Sequence, residues 1–336
     1  MTRLLIGVVA LLLCFLGAAA TGQTQPSPND TSPHKVTFVK VDKNINLEVL
    51  DWGGSGRALV FLAGLGNTAH DFDSFALRFV GNHHVYGITR RGFGLSDKPA
   101  LADENYVVDR LGEDVLAVMA ALKLDRPVLA GSSIAGEELS WIGTYHPEPA
   151  SGLIYLDAIG GHSFYTAALG NFGVDTDVLR RELEQLSEPT TLSQDNARIK
   201  AILKSDELKR YEATLRSVSH EMDMMLQAPQ TEPLPNADPR LPYMRKIQAN
   251  QKRFTEIKGP ILAIIAIPHD YEKNPPRNLR AATAIDMAYA KKQADAFQAH
   301  LPNARVVRLR YASHAVWRSN ETDVEREMNA FMQTLQ

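Results

Sequence analysis

Six short apolar runs limit what this chain can become: ALVFLAG (58–64), VYGIT (85–89), PVLAG (127–131), LIYLD (153–157), PILAIIAI (260–267) and ARVVRLR (304–310). Most are continuously apolar rather than alternating, as a strand covered on both faces requires. Segments of helical period separate them, at 72–80, 107–122, 134–145, 281–300 and 321–335. Strand alternating with helix predicts an α/β fold, a mainly parallel, doubly wound sheet with helices on both faces. Two earlier runs, KVTFVKV (35–41) and NINLEVLDW (44–52), alternate apolar with polar and predict a half-exposed hairpin. The sheet then has about eight strands.

The rhythm fails once. Between Asp157 and Pro260 about a hundred residues carry helical patterns and no convincing strand, too long for a structureless loop. An inserted helical cap is expected there, at 162–258, between core segments 35–161 and 259–336. Upstream, MTRLLIGVVALLLCFLGAAATGQ has one Arg, an apolar stretch from Leu4 to Leu16, and Ala18 and Ala20 in the A-x-A relation. That is the form of a secretory signal peptide, over 1–22. The apolar stretch is shorter than the roughly 20 residues that span a bilayer, so cleavage is favoured over anchoring. A polar, Pro-rich leader follows at 23–34. Cys14 is the only cysteine, and its removal leaves no disulfide, thiolate nucleophile or cysteine-held metal. The net charge of -3, with no basic run interleaved with aromatics, argues against a nucleic-acid partner.

Chemistry enters at VLAGSSIAGEEL (128–139), where two serines lie between a strand-like run and a helix-like one. A nucleophile can be exposed on a sharp strand-to-helix turn, which admits only small side chains two before and two or three after it. With Ser133 as nucleophile those neighbours are Gly131, Ala135 and Gly136; with Ser132 the branched Ile134 falls where the turn is tightest. Ser133 is the better fit. Two later strand ends carry Asp270, in PILAIIAIPHD, and His314, in VVRLRYASHAVW. Ligand sites in open α/β sheets form at such ends, and Ser, acid, His is the chain order this architecture uses.

On these residues, together with FLAGLGNTAHDF, ITRRGFGLSDKP and LIYLDA, the chain from about Lys35 onward resembles the α/β-hydrolase superfamily. The kind it resembles has a serine nucleophile and a cap inserted after the sixth strand. The resemblance implies Ser133 as nucleophile, His314 as general base and then acid, and Asp270 orienting the imidazole. It also implies an oxyanion hole from the backbone amides of Leu65 and Ile134. Departures exist: Ala63 stands where many members have His, and Ala135 replaces the second glycine of the elbow. The acid in IPHD comes about one residue later than in common patterns, so Asp157, which closes LIYLD, is the competing acid.

Other features have plainer readings. Arg90, Arg91 and Asp97 brace a loop through ion pairs, and Glu137 and Glu138 sit in the first turn of a helix, where negative charge suits the macrodipole. His83 and His84 are adjacent and point to opposite faces of extended chain. No metal-ligand spacing occurs, and no metal or cofactor is expected. The expectation is a secreted or periplasmic serine hydrolase that cleaves esters of small to medium, partly apolar molecules through an acyl-enzyme. A peptidase, a C–C bond hydrolase or a cofactor-free haloperoxidase would keep the same triad, and a hydrolase-like binding protein is the non-catalytic alternative.

Overall fold

Each of the apolar runs becomes a strand in a computed structural model that describes residues 32–187, 191–226, 238–270, 273 and 280–335. The expected signal peptide at 1–22 and most of the leader lie outside the described residues. The strands are β1 (Lys35–Asp42), β2 (Ile45–Gly53), β3 (Ala58–Leu62), β4 (His84–Ile88), β5 (Val128–Ser132), β6 (Gly152–Leu156), β7 (Ile261–Ala266) and β8 (Ala304–Leu309). They form one eight-stranded sheet in the order β1-β2-β4-β3-β5-β6-β7-β8. The β1–β2 hairpin and the β2–β4 pair are antiparallel; every other pairing is parallel.

Strands β3, β5, β6 and β7 are buried at every position. Consecutive side chains serve two different cores, because a strand's period is two. Leu129, Leu153, Tyr155, Ala263 and Ile265 enter one core, with Trp141 and Phe297. Phe61, Ala130, Ile154, Leu156 and Ile264 enter the other, with Phe72, Phe75, Trp317 and Phe331. Each large aliphatic chain so buried contributes about 1.5–3 kcal/mol, so both faces of the sheet are strongly specified.

The last run departs from its sequence pattern. β8 lies at the sheet edge and none of its residues is fully buried. An edge strand has only one neighbour, and its polar side chains face outward: Arg305 pairs with Glu327, and Arg308 with Asp295 at 3.0 Å.

The longer helices among the described residues are α1 (Val108–Ala121), α2 (Gly136–Tyr145), α3 (Phe172–Glu184), α4 (Leu192–Lys204), α5 (Asp206–Leu226), α6 (Leu241–Gln248), α7 (Arg280–His300) and α8 (Glu321–Met332). Four of them, α3 to α6, fall between β6 and β7, with no strand among the described residues there. The buried carboxylate of Asp175 on α3 fastens this insertion to its stems. It accepts from Tyr165 Oη at 2.7 Å, Arg210 Nε at 3.3 Å and Arg253 Nη2 at 3.3 Å. Helix α6 packs Met244 and Ile247 against Phe93, Tyr106, Ile134 and Leu65, which brings the insertion onto the loops at the carboxyl ends of the strands.

Helix α2 follows β5 directly, and its seat depends on one glycine of α1. A Cβ on Gly112 would lie 2.1 Å from Trp141 Cε3, and Trp141 Nε1 is fixed by Asp109 Oδ1 at 2.6 Å. Gly112→Ala gains about 1 kcal/mol of helix propensity, but overpacking costs typically 1–3 kcal/mol and more where backbone must move. The variant is expected to be less stable by about 1–2 kcal/mol, read as a lower urea midpoint with an unchanged slope. An unchanged midpoint would mean that α1 and α2 separate freely.

Candidate active site

The turn after β5 needs the small residues that surround it. A Cβ on Gly131 would meet Ala135 Cβ at 3.0 Å, and one on Gly136 would meet the Ala158 carbonyl oxygen at 2.0 Å. Between them Ser133 has φ +54°, a left-handed conformation that costs a non-glycine residue of order 1 kcal/mol and persists only when its surroundings hold it. Ser132 is 2% exposed, whereas Ser133 is partly open. Of the doubled serines, only the second presents itself at the sheet's carboxyl end.

Strand β6 repeats the same local geometry one strand away. Ser132 pairs with Leu156 in the parallel register, so Ser133 and Asp157 are the next residues on adjoining strands. Asp157 is also left-handed, with φ +48°. Its amide donates to the Ile264 carbonyl at 2.7 Å, and its carboxylate is engaged on both oxygens. Oδ1 accepts the Ala266 N–H at 2.9 Å, and Oδ2 accepts His314 Nδ1 at 2.6 Å. His314 stands in the loop after β8, which Ser313 braces through its amide to Ser319 Oγ at 2.9 Å. Burial disfavours the imidazolium, but the hydrogen bond to Asp157 and its charge prevail, and the His314 pKa is raised above the ordinary histidine value.

This pairing corrects the sequence expectation for the acid. The imidazole's partner is Asp157, while Asp270 is exposed, its amide donating to the Ala312 carbonyl at 2.9 Å. The physical reason is alternation: the β7–β8 pairing continues beyond the strands as a bridge between His269 and Ala312, and neighbouring side chains in extended chain point opposite ways. His269 therefore faces Asp157, with Nε2 3.4 Å from Oδ2, and Asp270, one residue on, is exposed. The one-residue excess in IPHD was the sequence signal of this. Burial lowers the His269 pKa despite the nearby Asp157 charge.

The loop after β3 closes the other side. A Cβ on Gly64 would lie 3.4 Å from Ser133 Cβ, so Leu65 follows at the edge of the elbow. Buried Arg90 fixes this loop to α2: Nε donates to Glu138 Oε1 at 2.5 Å, Nη2 to the Ala63 carbonyl at 3.1 Å and Nη1 to the Gly64 carbonyl at 3.5 Å. Arg91 holds Asp114 through two bonds of 2.6 Å. From above, Arg240 Nη1 donates to the Gly66 carbonyl at 2.9 Å, and a Cβ on Gly66 would lie 3.2 Å from Met244 Sδ. The side chains of Leu65 and Ile134 contact the same insertion cluster.

Sequence reasoning missed one neighbour. His162, just beyond β6, donates from Nε2 to the Ser133 carbonyl at 3.3 Å. Burial, with help from His314, pushes its pKa down to about 4, so it is neutral at physiological pH. Nothing periodic in IGGHSF marks it. By contrast, a cavity of about 440 Å³ lined by Arg57, His84 and Lys123 among others opens at the opposite ends of the strands, away from Ser133.

Comparison with known proteins bears on the fold and the family. A model of the alpha/beta hydrolase family matches residues 59–327. The AB hydrolase superfamily protein YisY of Bacillus subtilis (strain 168) is 34% identical over 101 residues, 30% of this chain; the chain spans 36% of the length of that curated relative. Among solved structures, an epoxide hydrolase from Vigna radiata aligns over 91% of this chain and 99% of its own, with a TM-score of 0.59 and 15% identity. The enol-lactonase of Burkholderia xenovorans LB400 aligns over 88% and 100%, with a TM-score of 0.53 and 18% identity. At these identities the structural likeness is one of fold.

The helix after the elbow corrects one further expectation. Glu138 is paired with Arg90, but Glu137 is 1% exposed and its Oε1 has no hydrogen-bond partner among the described residues. Burial, and then the charge of Glu138, raise its pKa well above the ordinary glutamate value, which outweighs the macrodipole. The folded state then holds a proton the unfolded state releases, so stability falls as pH rises from the ordinary glutamate pKa, about 4.3, toward the folded one, by up to about 1.4 kcal/mol per pH unit. Glu137→Gln is expected to remove that slope in urea denaturation across pH 5–8. Parallel pH profiles for variant and parent would show that Glu137 is ionised in the fold.

Proposed function

The chain belongs to the alpha/beta hydrolase family, and on that premise we propose that it is a serine hydrolase that cleaves carboxylic esters of small to medium, partly apolar molecules through an acyl-enzyme. The carrying observation is a left-handed Ser133 at one strand end, next to Asp157 at the adjoining strand end, which holds His314 at 2.6 Å. A serine hydroxyl is a weak nucleophile until a base takes its proton and donors receive the charge that develops on the attacked oxygen.

Each part has a named role. Ser133 Oγ attacks the ester carbonyl carbon, and its proton passes to His314 Nε2. Asp157 keeps the other imidazole proton on Nδ1 and stabilises the imidazolium. The amides of Ile134 and Leu65, in the η-turn after Ser133 and the loop held by Arg90, receive the oxyanion. His314 returns the proton to the leaving alkoxide, and water repeats the sequence to release the acid. Neutral His162 adds no charge that would compete with His314 for the proton.

The apolar cluster of Leu65, Phe93, Ile134, Met244 and Ile247 above the elbow favours a partly apolar acyl or alcohol group. The structural likeness to an enol-lactonase accords with ester cleavage. The epoxide hydrolase neighbour is a less apt guide, because such enzymes place Asp at the elbow where this chain has Ser133. The signal-like segment at 1–22 supports a secreted or periplasmic setting, and among the described residues no helix is long and apolar enough to cross a membrane.

A fluorophosphonate probe is expected to label the chain, with labelling lost in Ser133→Ala and kept in Ser132→Ala. Labelling that survives the first change would overturn the assignment. With an ester substrate, Asp157→Asn is expected to lower kcat by about 10³–10⁴-fold and Asp270→Asn to leave it near the parent value. Equal losses would return Asp270 to the site. Because the base must be neutral and its pKa is raised, kcat/KM is expected to climb through an apparent pKa above about 6.5. In Asp157→Asn that limb moves to lower pH; a limb that stays in place would assign it to another group.

A further inference from the structure

A second cluster of ionisable side chains lies where the chain enters the sheet, apart from the Ser133 site. His34 precedes β1, Glu48 is on β2, and His70 and Asp73 are on the helical turns that follow the β3 loop, Ala69–Phe72 and Asp73–Ala76. The Asp73 carboxylate joins both rings, with His34 Nδ1 3.0 Å from Oδ1 and His70 Nδ1 3.0 Å from Oδ2. Trp52 Nε1 donates to Oδ1 at 3.0 Å. The side chains of His34, His70, Asp73 and Glu48 are 5%, 8%, 18% and 1% exposed.

We propose that His34, His70 and Asp73 bind a divalent transition metal of the zinc class, with Glu48 orienting His70 from behind. Two observations carry this. One ligand atom from each of the three residues lies within 4.8 Å of the other two. Zinc with bonds of about 2.0–2.1 Å sets tetrahedral ligands roughly 3.4 Å apart, and each imidazole Nδ1 lies 3.0 Å from one of the two oxygens of Asp73. Two imidazoles and a carboxylate are donors that suit zinc, cobalt or nickel rather than calcium or magnesium.

The second observation is Glu48. Its residue is 0% exposed. It lies against the rear of the site, with Oε1 3.6 Å from His70 Nε2. A carboxylate behind a metal-binding imidazole fixes the tautomer that leaves the other nitrogen free to ligate.

A bound ion would tie residue 34 to the segment that continues from the Leu65 loop, and so brace the chain entry and the elbow's edge together. No spacing in the sequence marks this cluster, because its members come from two separate segments.

The test uses the full chain without a histidine tag, dialysed against a chelator and titrated with Zn(II) in calorimetry, with metal content measured by mass spectrometry. One zinc per chain is expected, with a higher Tm, and His34→Gln and His70→Gln each weaken binding by at least tenfold while phosphonate labelling of Ser133 persists. Co(II) gives a readout that needs no variant: visible bands of a four- or five-coordinate nitrogen and oxygen site are expected on the parent chain. Absence of zinc and of cobalt bands would overturn the proposal, leaving a protonated-histidine ion-pair cluster. Zinc binding unaffected in both variants would overturn it too, by placing the ion elsewhere.

Discussion

Asp157 is held by donors from two other strand ends, and the candidate site depends on that connection. Its carboxylate takes the Ala266 amide at the end of β7 on one oxygen and His314, beyond β8, on the other. Hydrogen bonds to a charged acceptor contribute about 1.5–3 kcal/mol each, and the side chain is 10% exposed, so a missing donor would leave a buried charge unsatisfied. The parallel register of β5 on β6 then sets where Ser133 stands relative to this carboxylate. Both residues adopt left-handed φ, and that shared strain turns each out of its strand.

Around this pair the surrounding segments act on the elbow's other edge. Arg90 joins the loop after β3 to α2 through the Ala63 and Gly64 carbonyls and Glu138. The insertion between β6 and β7 reaches the same loop through Arg240 and Met244. A rearrangement of α6 would thus be felt first at Leu65 and Ile134, the two residues whose amides the proposed mechanism uses. In the proposed mechanism, the fit of substrate and the charge stabilisation of the oxyanion would be coupled through one small apolar cluster.

How legible this was in the sequence depends on the range of the interaction. Strands β3, β5, β6 and β7 were plain because burial on both faces leaves no room for polar residues, and the choice of Ser133 rested on local crowding that the glycines record. The partner of His314 was misread because a single residue of offset after β7 decides which side chain faces inward, a signal carried only by the spacing of IPHD. The edge character of β8 was hidden for a related reason: Val306 and Val307 look like core until strand order is known. Glu137, His162 and the His34–His70–Asp73 cluster arise only from contacts between distant segments, which no periodicity announces.

The most direct measurement of the central claim is a crystal structure of the chain after reaction with a phosphonate ester. The account predicts phosphorus bonded to Ser133 Oγ, a phosphoryl oxygen within hydrogen-bond distance of the Leu65 and Ile134 amides, and His314 Nδ1 on Asp157. A phosphorus atom on any other residue, or His314 turned to Asp270, would contradict it.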